Sequence, residues 1–122
     1  MKINVDISMG EYYDKLTILK IKKDNNIGDD KELKMLTQSD IDEKNKLMVE
    51  SLGEVLLTIN QELWNIEDNK RQCEKNKNFN DEFIQFSRLV YILNDMRANV
   101  KKQINILTES DIKEYKSHDG II

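Results

Sequence analysis

No proline occurs anywhere in this 122-residue chain, and glycine occurs only four times. A β-sandwich or barrel needs turn punctuation every ~8–12 residues, and these two residue types supply it most readily. The same scarcity lets helices run long, because nothing interrupts their hydrogen-bond ladder. Charged residues make up 34% of the chain and hydrophobic residues 39%, which suits solvated helices around a narrow seam. A chain of this length forms one domain with a modest core.

Apolar spacing places the elements. Ile3, Val5 and Ile7 alternate over residues 2–8, a short strand pattern. One strand needs a partner, which a symmetry mate, the tail or the helices beneath it would supply. Ser8 stands three residues before Glu11, the capping-box spacing, and predicts a helix from about 9 to 24. Two stripes run along it, Tyr12, Leu16, Leu19 and Asp14, Ile18, Ile21, so it is expected to be enclosed on more than one side. Residues 24–30 are rich in turn formers, and 31–36 allow a short helical turn.

Ser39 or Thr37 is the expected cap of a long helix ending near Asn76. Its seam reads Ile41, Met48, Leu52, Val55, Ile59, Ile66 and Cys73, with Asn45 and Glu62 also in seam positions. Gly53 interrupts it and marks close approach by a neighbour. Asn80 caps the last helix, Phe79 and Ile84 have the spacing of a hydrophobic staple, and the helix runs to about Thr108. Phe86, Leu89, Leu93, Met96, Val100, Ile104 and Leu107 form its core stripe. The fold class is mainly α: a short N-terminal strand, one short helix and a long antiparallel helical hairpin, with the first helix completing a three-helix bundle. Residues 1–122 read as a single helical domain, with 1–8 a strand or arm and 109–122 a partly ordered tail.

Several function classes fall away. A net charge of −4 argues against a nucleic-acid partner. A single Cys73 forms no internal disulfide and belongs to no metal-binding Cys/His cluster. The only histidine, His118, has no nearby nucleophile to activate. No apolar run approaches the ~18 residues of a membrane span, so the chain reads as cytoplasmic, with no membrane partner.

Three clusters do not fit a plain amphipathic pattern. They are Glu11-Tyr-Tyr-Asp14-Lys15, then Glu62-Leu-Trp64-Asn-Ile-Glu67-Asp68, then Tyr91-Ile-Leu-Asn94-Asp95-Met-Arg97 with Lys101 and Asn105 beyond it. On a helical wheel Asn94, Arg97, Lys101 and Asn105 flank the core stripe, where half-buried polar groups need partners. One reading is an interhelical salt-bridge network, Asp14 or Glu62 answering Arg97 or Lys101, with Glu67–Arg71 a local pair. The other is a polar pocket in which carboxylates hold Mg²⁺ and Arg97 and Lys101 meet an anionic small molecule. Trp64 lies one heptad from Leu57, opposite the seam, an apolar patch for the first helix or a second subunit to cover.

The segments E-Y-Y-D-K-L-T-I-L-K-I-K, E-L-W-N-I-E-D and Y-I-L-N-D-M-R, in that order, resemble a family of short, uncharacterised all-helical bacterial and viral proteins. The resemblance extends from about Ile3 to Tyr115 and is weakest over 25–50. It implies a small helical domain, names no reaction, and points to Asp14, Lys15, Trp64, Glu67, Asp68, Asn94, Asp95 and Arg97.

Two functional classes follow. The first is a non-enzymatic helical interaction module, a homodimer or larger assembly that needs no cofactor. The second is an enzyme resembling the all-α nucleotide pyrophosphatases, with Glu11, Asp14, Glu62, Glu67, Asp68 and Asn94 or Asp95 gathered around Mg²⁺. Only Glu11 to Asp14 keeps the E-x-x-D spacing of that family, and Glu62 and Glu67 do not share a helix face. A variant of this second class binds a sugar phosphate or nucleotide sugar without turnover.

Overall fold

The structure is a computed structural model and describes residues 1–38 and 44–115. Among them are four helices, α1 (Met9–Asp24), α2 (Lys31–Thr37), α3 (Lys46–Lys75) and α4 (Asp81–Leu107). Ser39, Ile41 and His118 lie outside the described residues.

Local chemistry sets the helix ends. Ser8 is extended, and its hydroxyl accepts the Glu11 N–H at 3.0 Å, capping α1. Only half of the capping box forms, because the Glu11 carboxylate turns to Lys101 instead. At the other end Asn25 donates its side-chain amide to the Ile21 carbonyl at 2.8 Å. Asn80 caps α4 as expected, accepting from the N–H groups of Glu82 and Phe83. The staple takes a different partner, since the Phe79 ring stands edge-on to Phe83 while Ile84 is half exposed. Lys77, with φ 54°, turns the chain between α3 and α4.

At ~1.5 Å per residue, α3 and α4 form a hairpin about 40–45 Å long, and α1 spans only about 24 Å of it. α1 runs antiparallel to α4, with Gly10 beside Asn105 and Asp14 beside Arg97. It runs parallel to α3, with Tyr13 beside Gly53 and Thr17 beside Asn60. The core lies between the three. Val49, Leu56, Ile59 and Leu63 of α3 meet Val100 and Ile104 of α4, with Met9 and Tyr13 of α1 packed against them. α2 folds back on α1, where Tyr12 Oη donates to the Leu36 carbonyl at 2.8 Å. α1 is thus enclosed on more than one side, as its two stripes predict.

Four expectations need correction. Residues 2–8 form no strand, because no second strand pairs with them among the described residues and Ile3 and Val5 remain 87% and 69% exposed. Thr37 caps nothing; it is the last residue of α2, and its hydroxyl donates back to the Leu33 carbonyl. Asn45 is not on the seam but precedes α3 in the left-handed region, its side-chain amide on the Leu107 carbonyl. The fourth is the seam itself. In the first half of α3 the buried strip is Val49 and Leu56, one residue on from Met48 and Val55, which are about half exposed. Both strips are apolar, and the packing of α1 and α4 selects between them. Glu62 lies outside the seam and is exposed, and on α4 Leu89 and Met96 are also exposed.

Candidate functional site

The stripe Gly10, Asp14, Thr17, Ile21 of α1 is small and polar at one end and apolar at the other, and all four residues are buried. It faces the strip Asn94, Arg97, Lys101, Asn105 of α4, so a polar interface runs through a helical bundle. Asp14 is at its centre, 2% exposed. Arg97 donates to it through two nitrogens, Nε to Oδ1 at 2.8 Å and Nη2 to Oδ2, a bidentate pair. Asn60 Nδ2 reaches the same carboxylate at 2.9 Å and the Thr17 hydroxyl at 2.7 Å, and that hydroxyl donates to the Asp14 carbonyl. Asn94 Oδ1 lies 3.5 Å from Arg97 Nη1.

One turn along, Lys101 Nζ donates to Glu11 Oε2 at 2.8 Å and stands 3.7 Å from Glu114 Oε1. Glu114 lies past α4, on a segment that folds back over the start of α1, and it accepts from Ser8 Oγ and from Asn105 Nδ2. Asn105 Oδ1 in turn accepts the Gly10 N–H at 2.7 Å. The backbones of α1 and α4 approach closely here. A Cβ on Gly10 would stand 2.6 Å from the Lys101 carbonyl oxygen, so glycine is required. The sequence pattern points instead to Gly53, where a Cβ would meet the Tyr13 ring at an ordinary 3.4 Å.

These contacts set the charge states. Burial alone would raise the Asp14 carboxyl, but hydrogen bonds from Arg97 and Asn60 and the charges of Arg97 and Lys101 outweigh it and hold the group below its ordinary value. Burial likewise opposes ionisation of Glu114, and the bonds from Ser8 and Asn105 with the Lys101 charge overcome it. The Asp14 hydrogen bond raises Arg97 against desolvation. Asp14 is therefore an ionised acceptor with its partners in place, a poor proton acceptor for catalysis.

Lys15, Glu62, Glu67 and Asp68 do not join this cluster. Lys15 is exposed and pairs with Glu32 of α2 at 3.5 Å. Glu62, Glu67 and Asp68 are exposed on α3, and Glu67 lies 3.9 Å from Lys70 rather than pairing with Arg71. Trp64 and Asp95 are partly buried. Of the carboxylates named for Mg²⁺, Glu11 and Asp14 belong to the α1–α4 cluster while Glu62, Glu67 and Asp68 stand apart on α3, and among the described residues no group of three or more acidic, His or Cys side chains is placed to hold a metal ion. Apolar periodicity does not pick out Gly10, Thr17, Asn60, Ser110 or Glu114, nor the bond from Ser8 to Glu114. The three–four spacing of Gly10, Asp14 and Thr17 was the available signal.

A second feature lies on the other side of the hairpin. Val55 is two residues from Gly53 and Gln103 two from Lys101, so each points roughly 160° away from the α1 interface. There Met48, Ser51, Leu52, Val55, Gln103, Ile106 and Leu107 line an open groove of about 450 Å³. No helix among the described residues is long and apolar enough to cross a membrane.

A family model covers residues 1–122, that of DUF6165, described as a family of unknown function. No curated protein and no solved structure matches the chain. The chain belongs to the DUF6165 family over its whole length.

Proposed function

We propose that this family member is a non-catalytic helical interaction module that self-associates through the groove between α3 and α4. One observation carries this reading. The ionisable groups at the α1–α4 interface answer each other within one chain, whereas the groove on the opposite side of the hairpin is open and lined mostly by apolar side chains among the described residues. Arg97 and Lys101, the two cations suited to an anionic ligand, are engaged by Asp14, Glu11 and Glu114. The groove has the character of a recognition surface: Met48 and Val55 are about half exposed, Ile106 is 61% exposed, and all three stand on rigid helices.

Light scattering after size-exclusion chromatography tests this reading. The native chain should elute at twice its 14.4 kDa mass. Val55→Asp should return it to the monomer mass as a folded chain with its helical circular-dichroism signal intact, because Val55 is 46% exposed in the monomer. A native chain that stays monomeric at the highest accessible concentration refutes self-association.

A further inference from the structure

Residues 1–7 form an arm without regular structure ahead of α1, and its apolar side chains face water: Ile3 is 87% exposed, Val5 69% and Ile7 41%. We infer that the occupant of the α3–α4 groove is this arm, delivered by a second copy of the chain in a reciprocal exchange. The inference rests on the proposal that the groove is a self-association surface, and it names what enters it.

Pattern, length and position support the assignment. Extended, the arm would place Ile3, Val5 and Ile7 along one edge and Lys2, Asn4 and Asp6 along the other. A groove with an apolar floor and an open top needs that division. At ~3.3 Å per residue, Ile3 to Ile7 spans about 13 Å. Met48 to Val55, the α3 wall, spans about 10 Å at the helical rise. Ser51 and Gln103 give the groove hydrogen-bonding groups for the backbone of an extended occupant.

The arm and the groove also lie at the same end of the bundle but on opposite sides of the hairpin. The arm leaves from Ser8, which Glu114 holds on the α1 side, and Met9 is tied to Ser110 at 3.1 Å. The direct route round the end of the hairpin is occupied by its own chain, where Lys44 meets Glu109 and Asn45 meets the Leu107 carbonyl. An arm delivered by a neighbouring copy related by a twofold axis need not take that route. Two arms filling two grooves close the symmetry, which leaves no groove open for further growth.

Cysteine trapping distinguishes the possible occupants. One preparation carries Val5→Cys and another Ile106→Cys, both at exposed positions, while the native Cys73 is buried. Mixed and oxidised, the two should give a cross-linked species of twice the chain mass, in greater yield than either preparation oxidised alone. In parallel, Ile3→Asp/Val5→Asp should convert the dimer to monomer as completely as Val55→Asp does. A dimer that survives the arm substitutions but not Val55→Asp keeps the groove as interface and overturns the arm as occupant. A cross-link confined to one chain in the doubly substituted Val5→Cys/Ile106→Cys protein, with no intermolecular product from the mixture, also overturns it. Loss of neither dimer overturns both readings together.

Discussion

The two sides of the α3–α4 hairpin invert the usual relation between polarity and burial. On the side that α1 covers, α4 presents Arg97, Lys101 and Asn105; on the bare side it presents Gln103, Ile106 and Leu107. Hydrophobic burial is non-directional, and an all-apolar contact between helices tolerates sliding by a turn. A bidentate Arg–Asp pair does not, because its two parallel bonds form in one register. The covered side therefore fixes where α1 sits, more than it adds net stability. Among the described residues the other side has no such device, and in the proposed assembly its specificity would come from the docked partner.

The difference between the two sides rests most directly on Asp14. Arg97→Ala leaves a 2% exposed carboxylate with Asn60 as its side-chain partner. The expected cost is about 3–5 kcal/mol, read from urea unfolding, as for other buried pairs broken from one side. Replacing both residues, Asp14→Leu with Arg97→Met, should recover most of that loss, since desolvation of the two charges disappears with their attraction. A double variant as unstable as the single one would mean that the interface needs the ion pair for stability and not for register.

Acid should open the same side. Asp14 and Glu114 have folded values below their ordinary ones, so the unfolded chain binds protons first. Their stabilisation is complete above the unfolded carboxylate range and is lost as pH falls through the lowered folded values, below about pH 4. Melting temperature followed downward from neutral pH should hold level and then fall in that window. The Asp14→Leu/Arg97→Met protein should show a shallower acid limb, and an unchanged limb would remove Asp14 from the account.

Gly10→Ala tests the closeness of the contact without touching a charge. Helix propensity favours alanine by roughly 1 kcal/mol. A Cβ 2.6 Å from the Lys101 carbonyl oxygen forces the helices apart, and the Gly10–Asn105 hydrogen bond would be strained with them. A net loss of about 1–3 kcal/mol is expected in thermal or urea unfolding. A gain would show that α1 yields easily and that the register is set elsewhere.

Most of the architecture was legible because helix periodicity is a local signal. Ser8 and Asn80 announced their caps, and the flanking strip Asn94, Arg97, Lys101, Asn105 was found by spacing alone. What failed was decided by tertiary packing. Met48/Val55 and Val49/Leu56 are equally apolar, so only the placement of α1 and α4 shows which pair is buried. Asn60 is at the core of the polar cluster, yet a search for apolar seam residues passes over an asparagine. Glu114 lies beyond the last helix, where no periodicity identifies a partner for Ser8. Ile3, Val5 and Ile7 alternate correctly for a strand, but a strand is a property of a pair, and the described chain supplies no second member.

The smallest predicted effect separates the two contacts of α1 from each other. Gly53 faces Tyr13 across the α1–α3 contact as Gly10 faces Lys101 across the α1–α4 contact. The same substitution should have the opposite sign there. At Gly53 a Cβ meets only the Tyr13 ring edge, at 3.4 Å, and no backbone atom. The propensity gain then survives, and Gly53→Ala should stabilise the protein by about 0.5–1 kcal/mol, measured against Gly10→Ala in the same urea series. Opposite signs would place the close register contact on α4 and leave α3 as the apolar side of the cradle. If both substitutions destabilise, α1 is held tightly from both sides, and the polar strip of α4 loses its special role in setting where α1 lies.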